Sequence, residues 1–499
     1  MTLGEALAEA RLKRPLAPEL AAADIAGLEY DSRRVEPGFL FFAFPGSRAD
    51  GRAFAQDALA RGAVAVLSQA EPPEAPSSLA ARWVQVEHGR YALALAARAF
   101  YHKPDERIGL TGITGTNGKT TTGFLIDSVL RATGAKTALI GTIEYHLAGR
   151  KLPAVNTTPE SLDLLRMFAE LVSLGGTHAT MEVSSHALAL GRVHGLRFHT
   201  AVFTNLTRDH LDFHGTMEAY FEAKRKLFEG EGAPAPPFAV LNRDDEFARR
   251  IATPPATEAL WYGLGPECNL RARHISSGSQ GLRFEVQNGK SRFIVESPLI
   301  GKINVYNVLA ACGAGLSYGI PEAEIARGIA GLRAVPGRFE RVDEGQPFMV
   351  VVDYAHTDDA LRNVIAVARG LNPQRVITVF GCGGDRDRSK RPLMGQAAAE
   401  GSDLVVLTSD NPRSEDPLAI MNDAMVGIQR KDAPRIVEPD RAAAIARALK
   451  QARPGDIVIL AGKGHETYQV LKDKTIPFDD RAVARDVLKG YGYHKAGEP

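Results

Sequence analysis

Short apolar bursts bounded by turn residues alternate with stretches of helical periodicity along most of the chain. That alternation predicts an α/β protein with mostly parallel sheets, because a crossover helix is the ordinary route back to the same edge of a parallel sheet. Three segments separate. The first, 1–107, holds an apolar burst at 39–44, a helix near 54–61, a Pro-rich break at 71–76 and an Ala-rich helix over 91–101. A strand over 107–114 leads into the second segment, 108–333, and runs into a glycine loop; a helix follows over 120–132, with Gly134 just past its end. Further strands are expected at 137–140, 179–183, 200–205 and 238–241, the last behind a Pro-rich surface loop at 230–237. The third segment, 334–499, has apolar runs at 348–352, 376–380, 404–407 and 457–460 with helical stretches between them. This is the pattern of a doubly wound, Rossmann-like sheet.

A length of 499 residues suits three domains at roughly 100–200 residues each. The 60 Lys and Arg nearly cancel the 59 Asp and Glu, for a formal charge of +1, which argues against a protein that coats nucleic acid by bulk charge. An anionic ligand must be gripped locally. Cys268, Cys312 and Cys382 are far apart and odd in number, so they make neither a disulfide framework nor a zinc pattern, and a reducing compartment is expected. The first ten residues lack a basic stretch followed by an apolar core, and no apolar run approaches the roughly 18–20 residues of a membrane span. A cytoplasmic monomer with small-molecule partners is the expectation.

The string from Gly112 to Thr121, GITGTNGKTT, sits between the expected strand and helix. There, backbone N–H groups of Gly115, Thr116, Asn117 and Gly118 and a helix N-terminus can cradle phosphates; Lys119 would neutralise them, and the Thr120 hydroxyl, next to Thr121, would ligate Mg²⁺. The spacing departs from the general phosphate-loop pattern, because Ile113 stands where the first glycine belongs. In this form, TGTNGKTT, the loop resembles that of the Mur ligases and folylpolyglutamate synthetases, ATP-dependent amide ligases, more than that of motor ATPases or small GTPases.

The resemblance extends over nearly the whole chain, with motifs in the order found in Mur ligases, and favours the branch that adds meso-diaminopimelate to the peptidoglycan stem peptide. It implies a small uridine-nucleotide domain over 1–107, a central ATP domain over 108–333 and an amino-acid domain over 334–499. By resemblance Tyr30, Ser32, Ser47, Arg48 and Ala49 contact the UDP-N-acetylmuramoyl dipeptide, as do Asn156, Thr157, Thr158, Ser184 and Arg192. Taken alone, 156–159 reads as a helix N-cap, Glu182 as a solvated strand-end acid and His210 as structural. In the family Glu182 and His210 become metal ligands. Glu222-Ala223-Lys224 occupies the position of a lysine that relatives carry as a carbamate, an anionic Mg²⁺ ligand made from CO₂, with Lys226 as the competing choice. Asn304 resembles an adenine contact, while Arg338 and Asp353 complete the ATP site. The stretch DYAHTDDAL carries Asp358 where the family usually has Pro, and Asp at a helix start preserves the shape.

Asp410-Asn411-Pro412-Arg413 matches the motif that receives diaminopimelate, an Arg fork being suited to its distal carboxylate. Arg386, Gly462 and Glu466 complete that pocket by resemblance. Lys119, Glu182, His210 and Lys224 are then the catalytic group. A lysine- or ornithine-adding relative and folylpolyglutamate synthetase are the near alternatives. A phosphate-loop ATPase switch without ligase chemistry is the distant one.

Overall fold

The computed structural model describes residues 1–46, 49–72 and 77–494. Ser47 and Arg48 lie outside the described residues. The first sheet is four-stranded and wholly parallel, in the order Gly27–Glu29, Phe39–Phe42, Ala65–Ser68 and Trp83–Gln85. The helix Gly89–Phe100 then turns Leu93, Ala96 and Ala97 into the core.

The central sheet has eleven strands. Seven are parallel, in the order Leu270–Gly278, Glu258–Gly263, Phe238–Asn242, Thr200–Phe203, Gly109–Thr114, His178–Glu182 and Thr137–Ile140. Both edges carry antiparallel additions that the strand–helix alternation did not announce: Glu144–Leu147 with Arg150–Pro153 at one, and at the other Gly281–Asn288 and Ser291–Ser297, which turn back on Leu270–Gly278 as a meander. In the meander, Leu282, Phe284 and Val286 are buried while Arg283 is exposed, the period-two pattern of a sheet wet on one face. Ile113 is in register with Glu182, and Thr114 with Phe203. The carboxyl ends of three strands therefore open onto one rim, where open α/β sheets bind ligands.

The third sheet has six strands in the order Glu340–Val342, Met349–Asp353, Ile457–Ala461, Val376–Phe380, Leu404–Leu407 and Arg435–Val437, parallel except for the first. One apolar core runs without a break from Leu3 and Phe42 of the first segment to Leu165 and Phe203 of the central one. The third sheet packs two cores of its own, around Phe380 and around Val352. Among the described residues no helix is long and apolar enough to cross a membrane.

Candidate active site

The loop after Thr114 is held from behind by the strand-end loop at 204–205. Thr116 N–H donates to the Asn205 carbonyl at 2.8 Å, Asn117 N–H to Asn205 Oδ1 at 2.9 Å, and Thr204 Oγ1 to the Asn117 carbonyl at 2.7 Å. Gly115 and Gly118 have φ of +147° and +86°; a Cβ there would meet Thr204 Oγ1 at 1.9 Å and Asn307 Oδ1 at 2.5 Å, so both conformation and space require glycine. The helix Lys119–Ala132 starts one residue earlier than the pattern suggests, which points the first-turn N–H groups into the loop. Lys119 Nζ donates back to the carbonyls of Gly115 and Thr116 at 2.9 and 2.8 Å. Burial pushes its amine below the ordinary value, against the attraction of Glu182 and Asp209.

Glu182 closes the rim. Its Oε1 accepts from Thr120 Oγ1 and from Thr142 N–H, each at 2.9 Å, and its Oε2 accepts from Thr142 Oγ1 at 3.0 Å. Thr142 Oγ1 lies 3.1 Å from Thr157 Oγ1, so one hydroxyl–carboxylate chain joins the phosphate loop to the 156–159 motif. That motif is not the N-cap its sequence suggests. The helix Ser161–Ser173 is capped at Glu160, and Thr158 instead donates to the Glu182 carbonyl at 2.8 Å and accepts from Ser184 N–H at 3.0 Å. Arg192 ties the same stretch down, donating to the Thr158 carbonyl at 3.0 Å and to Glu160 at 3.1 Å.

The helix Met217–Glu229 separates the two lysine candidates. Lys224 is buried and donates to the Gly115 carbonyl at 2.8 Å, with its Nζ 4.6 Å from the Tyr220 ring centroid. Lys226 is half-exposed and pairs with Glu231 at 3.5 Å. Lys119 and Lys224 share one carbonyl acceptor; burial first, then Lys119, push the Lys224 amine well below its usual value. His210 has a left-handed φ of +54°, stacks edge-on to His186 at 4.8 Å, and is pushed down to about 4 chiefly by burial. It lines the same cleft as Thr120 and Glu182.

That cleft, about 500 Å³, is closed on its other side by the third segment. Arg338 Nη2 donates to Thr120 Oγ1 at 3.2 Å, and its guanidinium lies over the Tyr354 ring at 4.8 Å. Asp353 accepts the N–H groups of Phe339 and Ala355 at 2.7 and 2.9 Å. The helix Asp358–Arg369 keeps its start despite the Asp358 departure, with Thr357 as its cap. Asp359 accepts from Asn117 Nδ2 at 2.8 Å and from Thr207 Oγ1 at 3.1 Å, while Asp358 takes Arg208 at 3.1 Å and Lys390 pairs with Asp209. Asn304 also lines the cleft; its amide donates to the Ile300 carbonyl and accepts from Asn307, both at 2.8 Å.

The 410–413 turn, Gly462 and Glu466 come together as a polar cluster at the carboxyl ends of the third sheet. Asn411 Nδ2 donates to Glu466 Oε2 at 2.9 Å. Arg413, at a left-handed φ of +52°, anchors Nη1 on the Gly384 carbonyl at 2.7 Å; burial, then exposed Arg386, lower its affinity for the proton. Burial and Asp410 raise the Glu466 carboxyl, opposed by Lys463 and Asn411. A wider cleft of about 1120 Å³ faces the first sheet and is lined by Tyr30, Ser32, Ala49, Arg90, Glu160 and Arg192.

Sequence reasoning missed Thr142, Arg90, Lys390 and Lys463. The strand-end rule points to Thr142, two residues past Thr137–Ile140. Arg90 and Lys390 carry no local signal, since their contacts come from distant segments. Among the described residues no three His, Cys, Asp or Glu side chains converge as a metal site. A hydroxyl and one carboxylate are nevertheless the hard oxygen donors that Mg²⁺ takes together with phosphate and water.

Comparison with known proteins identifies the family of this fold. Three family models match: the Mur ligase family catalytic domain over residues 24–101, the Mur ligase middle domain over 113–315 and the Mur ligase glutamate ligase domain over 337–464. A UDP-N-acetylmuramoyl-L-alanyl-D-glutamate--2,6-diaminopimelate ligase of Solibacter usitatus is 75% identical over 495 residues, covering 99% of this chain and 100% of that one. A protein of the same name from Geobacillus thermodenitrificans is 49% identical, covering 93% and 95%. A solved structure of a ligase of that name superposes with a TM-score of 0.69 at 35% identity, covering 96% of this chain and 98% of the other. MurF from Acinetobacter baumannii shares the fold at 20% identity, with a TM-score of 0.66 and coverage of 92% and 95%. The chain belongs to the Mur ligase family.

Proposed function

We propose that this chain is an ATP-dependent ligase that joins the γ-carboxylate of the D-glutamyl residue of UDP-N-acetylmuramoyl-L-alanyl-D-glutamate to an amine of meso-diaminopimelate. One observation carries the reading: the phosphate cleft reaches Thr157 and Ser184, and the wide cleft reaches Glu160 and Arg192, so the two meet along 157–160. An acceptor lying in the wide cleft would present its carboxylate to a nucleotide γ-phosphate. The 2,6-diaminopimelate named for the 75% and 49% identical relatives supports the choice of amine. We assign the acceptor to 1–107, ATP to 108–333 and the amino acid to 334–499.

A carboxylate is a poor electrophile, and phosphorylation by ATP makes it an acyl phosphate with a good leaving group. Lys119 and Arg338 reach the position where charge builds on the transferring group, and the loop N–H groups keep the nucleotide in line. Arg413 and Arg386 grip the distal carboxylate of the amino acid, while Asp410 and Glu466, the latter held by Asn411, take its distal ammonium. The free amine attacks the acyl carbon, and phosphate leaves. The polar seam from Asn117 to Asp359 keeps the third segment over the loop and excludes water that would hydrolyse the acyl phosphate. Thr120, Glu182, His210 and a carbamate on Lys224 would hold Mg²⁺, which supplies further neutralisation of phosphate charge. Lys224 suits that modification: a depressed amine is the form that adds CO₂, and the carbamate N–H can still donate to Gly115. Conversion also removes the clash of two cations on one carbonyl.

The test is phosphate release by purified protein with ATP, the dipeptide nucleotide and, in turn, meso-diaminopimelate, L-lysine and L-ornithine. Release requiring both the nucleotide and diaminopimelate is expected. Release without the nucleotide, as a simple ATPase switch would give, refutes the ligase reading; preference for lysine refutes the assigned amino acid.

A further inference from the structure

Lys463 is fully buried in the amino-acid pocket, and nothing in the proposed chemistry yet uses it. Its Nζ donates to Asn411 Oδ1 at 3.1 Å and lies 3.4 Å from both Asp410 Oδ1 and Glu466 Oε2. Asn411 Oδ1 also accepts the Val470 N–H at 2.9 Å. With two donors on its oxygen, the amide must turn Nδ2 toward Glu466, where it donates. The Asn411 orientation thus follows from Lys463 and one backbone N–H.

Charge adds a second consequence. Asp410 and Glu466 carry two negative charges, and Lys463 returns one positive, leaving a single net charge to match one ammonium. Without Lys463 the two acids are buried side by side, an arrangement that drives one of them to hold a proton near neutral pH. Glu466 is the more susceptible, since burial and Asp410 already raise it. The other groups facing Glu466 are Tyr354, Tyr468, Arg413 and, from beneath, Arg441, which is committed to Asp480.

We propose that Lys463 is a positioning residue for the incoming amino acid: it sets the orientation of Asn411 and trims Asp410 and Glu466 to one net negative charge that receives the substrate's distal ammonium. The proposal rests on the ligase reading of the pocket, so wild-type turnover with diaminopimelate is established first. A wild type that turns over no amino acid refutes that reading, whereas the variants below judge Lys463 alone.

Lys463→Met keeps the length of the side chain and removes its charge. At neutral pH its KM for the amino acid should rise about tenfold or more, with the KM for ATP and for the dipeptide nucleotide within about twofold of wild type. Its amino-acid KM should also fall more steeply with rising pH than that of wild type, because Glu466 binds a proton on the low-pH side. Lys463→Met/Glu466→Gln has no carboxylate at position 466 left to titrate: its KM stays high, but the extra pH dependence disappears. The double variant keeps one net negative charge, so its raised KM reports the unset Asn411 and the lost Glu466 oxygen rather than charge, and it is compared with Glu466→Gln alone if the single Lys463 variant does not fold. A folded Lys463→Met with wild-type amino-acid KM and pH profile overturns the proposal. So does a rise of all three KM values together, or a steep pH dependence that persists in the double variant.

Discussion

Arg413 offers the sharpest test of substrate choice. Its Nη1 is committed to the Gly384 carbonyl, which leaves Nε and Nη2 as a free fork for the distal carboxylate. Hydrogen bonds to charged groups contribute about 1.5–3 kcal/mol, and at about 1.4 kcal/mol per factor of ten their loss raises the amino-acid KM roughly ten- to one-hundred-and-fifty-fold. Arg413 also sits at φ +52°, where an L side chain is strained, so Arg413→Gly deletes the fork without retaining that strain. Arg413→Lys keeps the charge and loses the paired geometry, and should fall between the two. Lysine has no distal carboxylate, so its poor kcat/KM should stay within about threefold in every variant while that of diaminopimelate collapses toward it. Steady-state kinetics with both amino acids and with ATP give the answer. Equal losses for diaminopimelate, lysine and ATP would refute the pocket assignment.

Lys224→Ala should abolish turnover, with partial rescue by short carboxylates that replace the carbamate; Lys226→Ala should leave kcat within about twofold, because its exposed pair is worth about 0.2–1 kcal/mol. Absence of rescue under any condition counts against the carbamate. Arg441 and Asp480 are both fully buried and paired, so Arg441→Met strands a carboxylate and should cost about 3–5 kcal/mol in urea unfolding, most of it recovered in Arg441→Met/Asp480→Leu. A single variant as stable as the double contradicts this. His194 is pushed down to about 4, by burial first and then by His88, Arg11 and Lys226. The unfolded chain takes up that proton below about pH 6.5, so stability should fall from there toward pH 4, and His194→Phe should flatten the slope in that window. An unchanged slope would show that His194 is not the group responsible.

The phosphate loop was readable because its requirement is local: Gly115 and Gly118 need particular backbone angles, and a strand and a helix announce themselves on either side. The place of Glu182 on the rim was readable from its strand end, but taken alone it read as a solvated acid, and only the resemblance gave it a role. The roles of Thr158 and Lys390 were not, since each is defined by a partner far away in the chain: the Glu182 carbonyl for one, Asp209 for the other. Periodicity found the buried parallel strands as apolar runs. It passed over the meander at 270–297, where polar residues alternate with core residues, and three strands of the first sheet, which span only three or four residues. Lys463 stood inside a motif and drew no notice, because a buried lysine gains meaning only from the acids around it.

The contrast between the two seams divides the molecule mechanically. The first and central sheets share one continuous apolar core, and sliding them apart would expose it to water. The third sheet has separate cores and meets the central loop through polar and ionic bonds such as Asn117–Asp359, Arg208–Asp358 and Arg338–Thr120, which water can replace. By its apolar packing the chain therefore groups as two bodies rather than three. One carries the phosphate loop and the wide cleft, and the other brings the amine together with Arg338. Because Arg338 crosses the wet seam to Thr120, seating the second body brings the amine and completes the charge neutralisation at the phosphate cleft together, so both chemical steps depend on the seam that water can open.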